Sequence, residues 1–323
     1  MIKLFLPSST PATAVEFWEK NWGSQSPSEL APLPSDADND RICETQPLWS
    51  VFERYRRADR LFFEGGCGPA HWVRYYAQRG QRVLGLDFAA RTIERVVRTM
   101  PNAPVVVGDI HRIPLESGEA HLYYSGGVVE HIETGPLPAL REARRVLASD
   151  GWFLCSVPDS SPLRRLLYPN RDGRLHATPL TDCSYAHLSK MTIDQHRELS
   201  FYQYVFSQHE FSTLLNQAGF EVVESIGMFF IHGLLEARPV QRPFHALLGA
   251  TRGTTESSVA DLDPIAPRSS DAAASGASLA QRIKQRLKDV VLAEKSANLL
   301  ERSGIEWLRW LAPNMRLYIA RPV

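Results

Sequence analysis

The chain has 323 residues, 44% hydrophobic and 22% charged, enough to build one large or two modest cores. Its formal net charge is zero, so no global field draws in nucleic acid or an anionic membrane. Four cysteines, at 43, 67, 155 and 183, show neither Cys-x-x-Cys spacing nor a dense disulfide pattern, and Cys67 and Cys155 read as small hydrophobes in a reducing compartment, the cytoplasm by default.

Residues 1–6 are apolar apart from Lys3, and Pro7 ends the run too soon for a signal peptide. Residues 14–22 read as a helix with Val15, Phe17, Trp18 and Trp22 apolar, followed by a Pro, Ser and Asp-rich linker over 24–40. A second helix is predicted over 47–57. The most informative stretch follows at 61–68, Leu-Phe-Phe-Glu-Gly-Gly-Cys-Gly. An apolar, aromatic run breaks into a glycine turn opened by Glu64, and a helical pattern runs over 69–78. Strand, tight turn and helix start together bring backbone N–H groups around a ligand, and Gly66 and Gly68 allow close approach of the main chain. A strand over 82–86 ends in Asp87, 19 positions after Gly68, where an acid suits ribose hydroxyls. A third run over 104–107 ends in Gly108-Asp109. A fourth over 121–124 enters Ser125-Gly126-Gly127 and then Val128-Val129-Glu130-His131-Ile132. Carboxylates closing three successive strands suit a cationic ligand that carries a ribose and an adenine amino group. They suit a pyrophosphate poorly, because the glycine turn holds no Lys or Arg.

The order Glu64-x-Gly66-x-Gly68, Asp87, Gly108-Asp109, Val128-x-Glu130-His131-Ile132 resembles the class I S-adenosylmethionine-dependent methyltransferases, nearest to the small-molecule group with ubiquinone-type and natural-product enzymes. Residues 141–147 with Asp150-Gly151 resemble that group's helix and turn before the fifth strand. Residues 206–223 resemble its helix and strand six. Each motif alone is weak; their order and spacing are specific. Ala70-His71 departs from the family, which often has a glycine there, and His71 is expected to crowd the methionine end of the ligand. The NAD-type alternative fits less well, since Gly66-x-Gly68-x-x-His71 lacks the small third residue of that fingerprint.

The resemblance implies an α/β, Rossmann-like sheet of seven strands, mostly parallel, in the order 3-2-1-4-5-7-6 with the last strand antiparallel. The chain divides into an N-terminal helical lid and linker (1–58), a methyltransferase core (59–227), an insertion (228–313) and a final core strand (314–323). Residues 158–206, rich in Tyr and His, form a substrate-side insertion too long for an ordinary connection and the first candidate for the acceptor pocket. Ser207 and Glu210 fit a capping box. Within 228–313, residues 249–276 read as a flexible linker, and Leu279, Ile283, Leu287 and Val291 form a helical stripe beside Arg282, Arg286 and Lys288. Residues 279–311 are read as packing on the body or in a homodimer, with peripheral membrane contact the alternative.

The implied activity is methyl transfer from S-adenosylmethionine to a small-molecule, sugar or lipid-linked acceptor, on oxygen before nitrogen, with no metal. A non-catalytic partner subunit that binds the same cofactor is the alternative. The implied cofactor residues are Glu64, Gly65, Gly66, Gly68, Asp87, Phe88, Asp109, Ile110 and Ser125, with His131 the candidate base. Trp18 and Trp22 are candidates for a lid over the ligand.

Overall fold

The computed structural model describes residues 2–7, 18, 33–167, 199–230 and 310–323. The strands are β1 (Ile2–Pro7), β2 (Leu61–Gly65), β3 (Val83–Asp87), β4 (Val105–Val107), β5 (Ala120–Gly126), β6 (Leu147–Pro158), β7 (Leu199–Val205), β8 (Phe220–Met228) and β9 (Met315–Pro322). The helices are α1 (Asp36–Thr45), α2 (Pro47–Tyr55), α3 (His71–Ala77), α4 (Ala90–Thr99), α5 (Leu137–Val146), α6 (Pro162–Leu167) and α7 (Gln208–Gln217), with a 3-10 turn at Val129–His131. One seven-stranded sheet runs β4-β3-β2-β5-β6-β9-β8. Strands β2 to β6 pair in parallel, and β9 lies antiparallel between β6 and β8. This is the 3-2-1-4-5-7-6 order that the resemblance implied.

Two-residue periodicity sorts the apolar side chains onto the two faces of the sheet. Phe63, Leu86, Phe153, Cys155, Tyr318 and Ala320 pack with Leu140 of α5 and Phe211 and Leu215 of α7. Their strand neighbours Phe62, Leu154, Leu317 and Ile319 point the other way, onto Phe52 of α2, Val73 of α3, and Ile93 and Val96 of α4. Because both faces are covered, β2 is buried at all its positions, and its sequence reads as a continuous apolar run rather than an alternating one. Phe52 anchors the second face, with Phe62, Trp72 and Tyr124 ring centroids 5.2, 4.7 and 4.9 Å away. Burying such a ring stabilises by about 1.5–3 kcal/mol, so α2 is a structural helix of the sheet's flank.

The N-terminal region departs from expectation in two places. Residues 36–40, assigned by composition to the end of the linker, belong to α1, which runs on to Thr45. Ser35 caps it by accepting from the Asp38 backbone N–H, with Asp36 and Asp38 in the first turn. The helix buries only Asn39 and Cys43, one turn apart, so no apolar stripe announces it. The apolar run before Pro7 is a strand, pairing antiparallel with β7. It fastens the start of the chain to the end of the 158–206 insertion. The capping box is present as expected: Ser207 accepts from the Glu210 N–H, and the Glu210 carboxylate accepts from the Ser207 N–H at 2.9 Å. The helix expected over 14–22, apart from Trp18, the linker before residue 33, the middle of the 158–206 insertion, and the 249–276 linker with the 279–291 stripe lie outside the described residues.

The described ends of the 158–206 insertion are held together beside β9. The Ser160 N–H donates to the Phe206 carbonyl, and the Asp159 N–H to that of Asn314. The Asp159 carboxylate, 2% exposed, accepts from Arg316 Nε and Nη2 at 3.2 and 3.0 Å. Removing one member of a buried pair strands the other charge, at a cost of about 3–5 kcal/mol. Asp159→Leu should therefore lose about that much in denaturant unfolding, and Asp159→Leu with Arg316→Met should regain most of it. A single variant with unchanged stability would remove the pair as the anchor of this insertion.

Candidate active site

At the carboxyl ends of β2, β3, β4 and β5 the described residues enclose a cleft of ≈ 140 Å³. Trp18, Gly66, Leu86, Asp87, Phe88, Asp109, Ile110, His111, Val128, His131 and Ile132 line it, together with Gly108, Gly126 and Gly127. This is the crevice where open α/β sheets bind ligands, outside the strand ends on either side of the first central strand.

The glycine turn is built around Asp87. Its Oδ2 accepts from the Gly68 N–H and its Oδ1 from the Ala89 N–H, both at 2.8 Å. The carboxylate thus ties the turn after β2 to the end of β3. With the Phe88 N–H also addressing it, the carboxylate retains acceptor capacity for a ribose hydroxyl. Burial raises the Asp87 pKa, while the N–H groups of Ala89, Gly68 and Phe88 pull it back. Gly66 has φ +78, and a Cβ there would lie 2.3 Å from Val128, so only glycine lets the turn close against the wall of the cleft. Ala70, where the family often has glycine, adopts φ 59 and ψ 39. The left-handed conformation costs alanine about 1–2 kcal/mol and is held in place by the packing around it. Its methyl is fully buried.

His71 does not crowd the cleft as expected. Its Nδ1 lies 2.7 Å from Asn39 Oδ1, and Asn39 Nδ2 donates to the His71 carbonyl at 3.0 Å. An amide oxygen only accepts, so His71 carries its proton on Nδ1 and faces α1 rather than the cleft. Burial, then Arg74 and Arg95, lower its pKa to about 4 and keep it neutral.

The remaining site residues fall into two groups. Gly66, Asp87, Phe88, Asp109, Ile110 and His131 line the cleft. Glu64, Gly65, Gly68 and Ser125 lie behind it. A Cβ on Gly65 would meet the Tyr123 hydroxyl at 2.4 Å, so Gly65 serves the core side of the turn. Glu64 is buried with Oε2 unpartnered, its pKa raised by burial against a hydrogen bond from the Val73 backbone and raised further by Asp87. The Ser125 Oγ is likewise buried without a partner. Such orphaned acceptors at the head of a glycine turn are the mark of a site shaped for a donor-rich ligand.

Sequence reasoning missed His111. Its backbone N–H and ring Nδ1 both address Asp109 Oδ1, at 2.9 and 2.7 Å, leaving Oδ2 for a ligand. Burial opposes the Asp109 charge, but these two bonds outweigh it and hold the carboxyl below its ordinary range. The signal was local: a histidine two residues after a strand-end acid closes a turn on it. Trp18, expected as a lid, lines the cleft and meets the His131 ring edge-on, 4.7 Å between centroids. Trp22 lies outside the described residues. Among the described residues no Lys or Arg lines the cleft, no group of three or more His, Cys, Asp and Glu could hold a metal ion, and no helix is long and apolar enough to cross a membrane.

A mostly parallel sheet in this order, with a glycine turn, strand-end acids and no Lys or Arg lining the cleft among the described residues, is the fold of adenosylmethionine-binding methyltransferases. Comparison with known proteins agrees. Residues 63–155 match the family model described as a methyltransferase domain. A probable S-adenosylmethionine-dependent methyltransferase of Mycolicibacterium smegmatis is 29% identical over 188 residues, 58% of this chain and 62% of that protein. A malonyl-[acyl-carrier protein] O-methyltransferase of Serratia marcescens is 29% identical over 123 residues, 36% of this chain and 48% of the relative. The chain thus spans less than two thirds of the length of either. Among solved structures, an S-adenosylmethionine-dependent methyltransferase from Mesorhizobium loti aligns with a TM-score of 0.45 at 14% identity, over 86% of this chain and 99% of that one.

Glu130, in the 3-10 turn, is buried, and desolvation lifts its pKa to about 8. A carboxyl raised on folding binds more protons in the native than in the unfolded state, so its effect on stability is absent below the unfolded value and accumulates as a loss while pH rises from about 4.5 to about 8. The melting temperature of Glu130→Gln should therefore pull ahead of wild type across this window and keep a constant lead above it. Melting curves that stay parallel from pH 5 to pH 9 would show that Glu130 ionises freely.

Proposed function

We propose that this chain transfers the methyl group of S-adenosylmethionine to a small-molecule, sugar or lipid-linked acceptor, on oxygen in preference to nitrogen. The observation that carries the reading is the acid set at three neighbouring strand ends, Glu64, Asp87 and Asp109, around a cleft lined by no Lys or Arg among the described residues. A sulfonium and an ammonium suit that field; a dinucleotide pyrophosphate does not. Asp87 would hold the ribose hydroxyls, Asp109 Oδ2 the adenine amino group, and Leu86, Phe88 and Ile110 the adenine faces. The unpartnered Oε2 of Glu64 is suited to the ammonium, and Gly66 and Gly68 admit the main chain close to it.

When bound, S-adenosylmethionine supplies a methyl group already activated by its positive sulfur. The protein's share is to align the acceptor and keep water out. Alignment of that kind is worth about 7–11 kcal/mol of the barrier. Trp18 and Ile132 would close the apolar side of the cleft, and His131, beside them, would take a proton from the acceptor, contributing about 10²–10⁴-fold. The O-methyltransferase named among the relatives supports oxygen as the target.

The test is untargeted profiling with an isotope-labelled methyl donor in cells with and without the gene. Label should appear in one metabolite class only when the gene is present. With that acceptor in hand, His131→Gln should lower turnover by about tenfold or more while adenosylhomocysteine affinity stays close to wild type. Gene-independent labelling by a chain that binds adenosylhomocysteine would instead make it a non-catalytic binding subunit.

A further inference from the structure

The cofactor reading leaves Glu130 unused, although its burial beside the cleft-lining His131 is costly. It is 1% exposed, and its Oε2 has no hydrogen-bond partner. Its Oε1 lies 3.9 Å from Nε2 of His131, a residue that lines the cleft. Apart from His131, the described elements packed around Glu130 supply no countercharge. Cys155 on β6 and Tyr124 on β5 face it as neutral groups, held so first by burial and then in part by Glu130 itself. Tyr204 on β7 donates its hydroxyl to the Glu133 carbonyl at 2.7 Å. Among the described residues, the basic group within 4 Å of the Glu130 carboxylate is therefore His131.

A carboxyl stripped of water beside an imidazole is an expensive arrangement, and such pairs concentrate where a proton must be moved. We propose that Glu130 and His131 act as one proton-sharing pair, with Glu130 the positioning residue that governs the proton on His131, and that the acceptor of this site is one whose nucleophilic atom must shed a proton. This rests on the methyl-transfer reading above. Hydroxyls and phenols meet the requirement; carboxylates, already ionised at neutral pH, and tertiary amines and thioethers, which attack through a lone pair already free, do not. In the step, the acceptor's O–H bond breaks, its electron pair stays on oxygen, and the proton passes to the imidazole. Above the Glu130 pKa of about 8 the pair goes from a net charge of −1 to zero, with the ionised carboxylate facing the new imidazolium; below it the imidazolium forms beside a protonated carboxyl and the pair goes from zero to +1. No oxidant or reductant is involved.

Histidine-selective ¹³C labelling with two-dimensional NMR tests the pair without any acceptor. The His131 signal is assigned by its absence in His131→Gln. In the wild-type chain it should titrate with two inflections, because coupled groups give up their protons in two macroscopic steps, the upper one near the value of about 8 that burial imposes on Glu130. Glu130→Gln should leave a single inflection. A single inflection in the wild type, or two that survive in Glu130→Gln, overturns the proposal, and the wild-type curve decides even if the variant folds poorly. Calorimetry with adenosylhomocysteine on the same sample separates the two claims. Two inflections without cofactor binding would sink the methyl-transfer reading, whereas binding with one inflection would sink the pair alone.

Discussion

The site depends on one carboxylate doing two jobs. Asp87 ends β3 with its oxygens bound to the Gly68 and Ala89 N–H groups, and so it fixes the glycine turn against the neighbouring strand. From that link follow the position of Gly66 under Val128, the left-handed Ala70 and the start of α3. The same carboxylate retains the lone pairs that a ribose would use. Burial works against its charge, and three backbone N–H groups keep that penalty in check. In the proposed reading, structure and ligand recognition would share this one residue.

Around that link the protein tolerates a concentration of unfavourable groups. Glu64 and Glu130 are buried carboxyls with raised pKa values, and Ser125 and both of these acids hold side-chain oxygens with no partner. Each would cost on the order of 1–3 kcal/mol as an unsatisfied buried group. The two apolar layers built on Phe62 and Phe63, which face opposite sides of the sheet, are what offset them. Locally inconsistent residues gathered at the strand ends, with a well-packed sheet beneath, are the pattern expected of a functional site.

Much of this was legible in the residues because the signals were local and strong. The continuous apolar run of 61–63 announces a strand covered on both faces, and the capping box at Ser207 fixes the start of α7. The acids at 64, 87 and 109 stand at strand ends because the runs before them are unbroken. The strand order came from resemblance, since pairing between distant strands leaves no periodicity. What escaped was decided by tertiary contact. Helix α1 is held by Asn39 gripping the His71 backbone and by Cys43, not by an apolar stripe, so its sequence looks like a linker. β1 owes its extended form to β7, almost two hundred residues away along the chain. His71 turns from the cleft because its ring nitrogen binds Asn39, a partner that spacing could not reveal. Glu130 stood in a recognised motif, but its burial and its distance from His131 are properties of the folded chain alone.

The central claim is that the acid-lined cleft is built for a cationic adenosyl ligand, and isothermal titration calorimetry addresses it most directly. The wild-type chain should bind adenosylhomocysteine and show no heat with NADH. Asp87→Ala should weaken the binding by about 1.5–3 kcal/mol, the range for hydrogen bonds to a charged group. Binding of NADH, or adenosylhomocysteine affinity unchanged in a folded Asp87→Ala variant, would contradict the account.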